Sequence, residues 1–165
     1  MAEVTLKWLE EKRFVGIDAY EHSIVIGGSG KPKIGIRPVD LVLLALGSCL
    51  GYDVVHVLER KRQKLEDFEV IVTGKMKTEA PWTFTDFHVK FRLWGCELSE
   101  KAVQDAIRIA SDQLCGVSDL LRKGATITKV YEILESKPRL VARRYDSKSP
   151  IDNAIRKWEE QNKSP

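Results

Sequence analysis

The chain has 165 residues, 43% hydrophobic and 31% charged, a balance that supports one packed core and excludes disordered and collagen-like classes. Its net charge of +3 is too small to argue for nucleic acid, and it is concentrated in residues 136–165, where eight Lys and Arg face four Asp and Glu. Three cysteines, Cys49, Cys96 and Cys115, are odd in number and far apart, which disfavours a secreted disulfide framework and a close-spaced zinc motif. The opening MAEVTLKWLEEKRF alternates polar and apolar residues where a signal peptide needs an apolar run, so the cytoplasm is the expected location.

Residues 3–9, 13–19 and 22–26 have strand composition and lie close enough for a meander. GGSGKPKIG then breaks the pattern; its glycines and lysines lack the full phosphate-binding spacing, and it reads as a flexible connection. It leads to Pro38, whose missing N–H suits the first turn of a helix. From Asp40 to about Gln63 the sequence is helical, apolar on nearly every face up to Tyr52 and basic at its end. Such a first half has to be buried all round, while Asp40, Asp53 and His56 interrupt it too often for a membrane span. Two strands follow, at 67–79 and 83–95, joined by the turn EAPWT; the aromatic residues of the second belong to sheet packing rather than to a base-stacking platform. Ser99 caps a helix over 100–114, a short helix VSDLLRK stops at Gly124, and ATITKVYEIL supplies the last strand. In the tail, Ser149, Pro150 and the stripe Ile151, Ile155, Trp158 predict a short amphipathic helix.

The order βββ-α-ββ-αα-β, with no βαβ alternation and no repeat, reads as α+β, with antiparallel sheets packed on a long apolar helix. One sheet cannot cover that helix on all sides. Either two sheets sandwich it or a second copy covers the remainder, and a dimer is expected.

Cys49, Asp53 and His56 share a helical face, but seven residues at 1.5 Å rise separate Cys49 and His56 by about 10 Å, beyond hydrogen-bond reach. A local Cys–His dyad is therefore geometrically poor. Asp53 is near enough to feel the thiol, and a carboxylate there opposes thiolate formation. Gly47 and Gly51 each cost about 1 kcal/mol of helix stability relative to Ala, which the close approach of another backbone would offset. From composition alone a buried cysteine is a structural filler.

RPVDLVLLALGSCLGYDVV, followed by AIRIASDQLCGVSDLLRKGATITKVYEI, resembles the OsmC/Ohr family of thiol-dependent hydroperoxide reductases, over about residues 1–134. The resemblance makes residues 1–135 an OsmC-like domain and leaves 136–165 as a basic extension. It implies an OsmC-like fold, an intertwined homodimer with long central helices packed against sheets from both chains. Cys49 matches the peroxidatic cysteine and Cys115 the resolving cysteine. The implied activity is reduction of organic hydroperoxides through a sulfenic acid and an intramolecular disulfide, with no cofactor and an external dithiol reductant such as a lipoyl protein or thioredoxin. In the family an arginine, held by a glutamate just after the proline, activates the thiol. Here Val39 stands at that place and the acid is Asp40, one position later, with Arg13 or Arg37 as the candidate cation. Cys96 matches no family position. The alternative is a protein of the same scaffold that binds a small or acyl ligand without significant peroxidase activity; neither nucleic acid nor membrane is an expected partner.

Overall fold

The structure, a computed structural model, describes residues 3–28 and 34–135. The helix expected at 149–158 and most of the GSGKPK connection lie outside the described residues.

Strands β1 (Val4–Glu10), β2 (Arg13–Asp18) and β3 (Ser23–Ile26) form the expected antiparallel meander. Asp18 fastens its second turn: the carboxylate accepts the backbone N–H groups of Tyr20 and His22, both at 2.9 Å. No part of β1 is covered; Val4, Leu6 and Trp8 are 67%, 58% and 66% exposed, so three apolar side chains of one strand face solvent in the protomer.

Helix α1 (Pro38–Arg60) starts on the proline, with acidic Asp40 in the first turn and basic Arg60 in the last, each at the end the helix dipole favours. By length and hydropathy it would pass for a membrane span. Instead, its row Leu46, Leu50, Val54 and Leu58, spaced four apart and fully buried, packs in one core with Phe87, Val89, Phe91 and Leu93. Each such side chain contributes about 1.5–3 kcal/mol of burial. On another side, Leu44 and Tyr52 stand 51% and 77% exposed. All-round burial is therefore not achieved within one protomer, where the residues packed against α1 leave this side open.

The second sheet joins β4 (Lys64–Met76), β5 (Phe84–Cys96) and β6 (Thr126–Leu134), with β5 central. Its antiparallel β4–β5 pair matches expectation, but β6 runs parallel to β5, correcting the reading of wholly antiparallel sheets without a βαβ unit. Parallel neighbours need a long crossover, and here it consists of α2 (Glu100–Ile109), a π-helical turn (Ala110–Leu114) and α3 (Gly116–Leu121). Ser99 caps α2 as expected, accepting the Ala102 N–H at 3.4 Å, and Val103, Ala106 and Ile107 turn inward. Arg92 of β5 lies between Glu69 of β4 (3.1 Å) and Glu132 of β6 (3.2 Å), which gives the outer face of the sheet a polar lacing.

Gly47 and Gly51 also answer differently from expectation. A Cβ on Gly47 would come within 2.9 Å of a Val72 methyl, and one on Gly51 within 3.2 Å of a Val70 methyl. The close approach is thus to branched side chains of β4, not to another backbone.

Candidate functional site: a cysteine pair between the central helix and the crossover

Cys49 sits in mid-α1 between buried Leu46 and Leu50 and is itself half-buried. Cys115 ends the π turn, and the way it is held follows from backbone bookkeeping. Its N–H donates to the carbonyl of Ala110 at 2.9 Å, five residues back, so the carbonyl of Ser111 loses the partner an α-helix would have given it. The Arg122 guanidinium takes that carbonyl and also donates to the Ser118 hydroxyl at 3.1 Å. Ser118 in turn donates its backbone N–H to the Cys115 sulfur at 3.3 Å. Lys129 of β6 donates to the Ser111 hydroxyl at 2.7 Å, and that hydroxyl donates to Asp112, also at 2.7 Å. The Ser111 bond, with Lys129 and Arg122 nearby, holds the Asp112 carboxyl below its ordinary range. Ser111 and Ser118 are each 1% exposed, and both hydroxyls are held by these bonds rather than by solvent.

The result is a sulfur pair. Cys115 donates its thiol hydrogen to Cys49 with the sulfurs 2.7 Å apart, although the residues are 66 positions apart in sequence. Burial, and then the bond to Cys49, push the Cys115 thiol up to about 11, against the weaker opposing pull of the Ser118 N–H. Cys115 therefore keeps its proton and is 3% exposed, while half-buried Cys49 is the sulfur a solute can approach. Asp53, one turn beyond Cys49, brings a carboxyl oxygen so close that it and the two sulfurs all lie within 4.8 Å of one another. Burial raises the Asp53 carboxyl above its usual range, and His56 partly offsets this. At 2.7 Å the sulfurs are closer than two thiolates on one tetrahedral zinc, which stand about 3.8 Å apart.

The other candidates lie elsewhere. Arg37 grips Asp40 through two bonds of 2.6 and 2.7 Å at the start of α1, and this contact holds the Asp40 carboxyl low. Asp40 precedes Cys49 by nine residues, about 13.5 Å along the helix axis. Arg13 pairs with Glu10 at 3.0 Å and Glu11 at 3.2 Å within its own hairpin. Among the described residues, no Lys, Arg or His is bonded to the Cys49 sulfur. Cys96 is free and exposed at the end of β5, and His56 is exposed on α1. Sequence reasoning missed Ser111, Ser118, Arg122 and Lys129. The only available signal was Ser118 three places after Cys115, and the π turn has no signature in residue types.

On a side of α1 turned away from the pair, α1 and β4 enclose a groove of about 620 Å³, floored by Gly47, Gly51, Phe68 and Val70 and walled by Leu44 and Tyr52; neither cysteine lines it. A second, mostly apolar hollow of about 400 Å³ lies on the meander against Leu41.

Comparison with known proteins places this geometry in context. The family model described as OsmC-like protein matches residues 28–129. The chain is 34% identical to Protein YhfA of Escherichia coli K12 over 132 residues, 80% of this chain and 98% of that protein. Its fold is shared by a hypothetical protein from Aquifex aeolicus (26% identity, TM-score 0.75, 83% of this chain and 98% of that one). It is shared too by the organic hydroperoxide resistance protein OhrB of Bacillus subtilis (18% identity, TM-score 0.57, 80% and 98%).

Proposed function

The chain belongs to the OsmC-like protein family, and from that premise we propose that it is a thiol-dependent peroxidase that reduces organic hydroperoxides. The observation that carries this reading is the sulfur pair: one accessible thiol and one buried, protonated thiol meeting at 2.7 Å from distant parts of the chain. The Cys49 thiolate attacks the terminal peroxide oxygen, the O–O bond breaks, the alcohol leaves with a proton, and Cys49 becomes a sulfenic acid. Cys115 then displaces the hydroxyl, forming the Cys49–Cys115 disulfide and water. An external dithiol, such as a lipoyl protein or thioredoxin, reduces the bond in the cytoplasm, where such reductants keep thiols reduced. The cycle requires no metal or organic cofactor.

The working unit we propose is a homodimer. Leu44 and Tyr52 beside the α1 groove, and Val4, Leu6 and Trp8 on the uncovered β1, form apolar surface that a second copy would bury. A cation for Cys49 would then come from outside the described contacts of one protomer, with Arg13 the candidate nearer to that surface in sequence order, since it lies on β2 beside β1.

The test is single-turnover oxidation with cumene hydroperoxide. Wild type should lose two thiols per chain to one disulfide and turn over with dithiol. Cys49→Ser should do neither, and Cys115→Ser should accumulate a dimedone-trappable sulfenic acid. Unreacted Cys49 under excess hydroperoxide refutes the proposal. The groove's volume and apolar lining favour a second reading, small-ligand binding; a ligand retained in native mass spectra, undisturbed by Cys49→Ser, would establish it instead.

A further inference from the structure

We infer that Asp53 is the proton acceptor for Cys115 in the disulfide-forming step, an assignment that rests on the dithiol cycle proposed above. Its carboxyl oxygen and the two sulfurs form a triangle no side of which exceeds 4.8 Å, a gap that one intervening solvent molecule spans. Asp53 lies on the same helix as Cys49, one turn on, so the rigid segment that carries the attacked sulfur also carries the base.

The step needs such a group. As the S–S bond forms, the Cys115 S–H bond breaks, its electron pair makes the new bond, and the S–O bond of the sulfenic acid releases its pair to oxygen. The proton passes from Cys115 to the Asp53 carboxylate and from there to the departing hydroxide, giving water and no net change in protonation. Without a base, a thiol pushed up to about 11 is thiolate in only roughly one molecule in 10⁴ at neutral pH. Burial moves the Asp53 carboxyl upward, which narrows its gap from the thiol and makes it a better acceptor than an exposed aspartate. The titratable groups that face Asp53 are His56, which favours its ionised form, and the two thiols within 4.8 Å. Charged groups on neighbouring elements are paired otherwise: Asp112 with Lys129 and Arg122, and Asp105 with Lys61 and Arg108.

Dithiobis(nitrobenzoate) isolates this step without peroxide. In a Cys96→Ser background it caps Cys49, releasing one nitrothiobenzoate; Cys115 then displaces the second, whose departure requires no proton. The second release should be slower by about 100-fold at pH 7 in Asp53→Asn, with the first release no slower than in the parent and partial recovery of the second in Asp53→Glu. Its rate in the Asn variant should climb tenfold per pH unit, whereas in the parent it should level off once Asp53 has ionised. A second release in Asp53→Asn within about twofold of the parent overturns the assignment. If that variant does not fold, the parent decides: a rate rising with unit slope to about pH 10 overturns it, and a plateau supports it. Failure of the peroxidase reading shows separately, as a Cys49 that hydroperoxide leaves unoxidised while the second release still depends on Asp53.

Discussion

Replacing Gly47 by alanine tests the packing that sets the position of Cys49, because two effects of known size oppose each other there. An alanine gains about 1 kcal/mol of helix propensity over glycine. Its Cβ, however, would stand 2.9 Å from a Val72 methyl, well inside the roughly 3.5–4.0 Å of a relaxed carbon contact. Valine is stiff at χ1 and cannot swing aside, so α1 and β4 must part, at an overpacking cost of about 1–3 kcal/mol. The expected net loss is about 0–2 kcal/mol. At Gly51 the nearest methyl is 3.2 Å away, a few tenths of an ångström relieve the contact, and the propensity gain makes Gly51→Ala neutral or stabilising by up to about 1 kcal/mol. Urea unfolding followed by far-ultraviolet circular dichroism, at one fixed protein concentration, measures both. Val72→Ala should restore stability specifically in the Gly47→Ala background, with a coupling of at least about 1 kcal/mol. A Gly47→Ala protein more stable than the parent, or one with no coupling to Val72, refutes the packing argument.

Three further outcomes follow from the site. Under reducing conditions the folded Cys115 thiol titrates at about 11 and the unfolded one near 8.5–9; the native state holds the extra proton between these values, so stability is full below about pH 8.5 and falls as pH rises towards 11. The loss should be on the order of 2 kcal/mol and absent from the pH curve of Cys115→Ala, as compared by urea midpoints. Arg122→Ala leaves the buried Ser111 carbonyl without its donor and should cost about 1.5–3 kcal/mol in urea unfolding, while slowing the second nitrothiobenzoate release more than the first. Arg37→Ala removes a charge already matched by Asp40 and remote from the sulfurs along α1; the rate of Cys49 alkylation by iodoacetamide should stay within about twofold of the parent across pH 6–9.

Strong periodicity made much of this fold legible in the sequence. Leu46, Leu50, Val54 and Leu58 and the alternating Phe87, Val89, Phe91, Leu93 announce a helix on a sheet, and Pro38 and Ser99 mark where two helices begin. The direction of β6 was not legible, because the side-chain alternation of a strand is the same whichever way its neighbour runs. Gly47 and Gly51 signalled a close contact, but a glycine records that space is short without naming what fills it. At the site, the family resemblance singled out Cys49 and Cys115. The supports of Cys115 stayed hidden because Arg122 and Lys129 are ordinary charged residues until a π turn frees the Ser111 carbonyl beside them. Asp53 was visible beside Cys49, yet its bearing on Cys115 depends on a fold-made proximity across 62 positions of chain (115 minus 53).

The long span between Cys49 and Cys115 also carries a thermodynamic consequence. When the sulfurs bond, they close a loop between residues 66 positions apart, and the unfolded chain loses the entropy of that loop, about 4 kcal/mol in the chain-entropy model. Linkage is reciprocal: whatever the bond adds to folding, folding adds to the bond. At 30 mV for each 1.4 kcal/mol, that is about 90 mV of bias towards the oxidised pair, which the reductant of the proposed cycle would have to overcome. In the proposed cycle two states of unequal robustness would alternate, and the reduced form would be the one more open to unfolding and proteolysis.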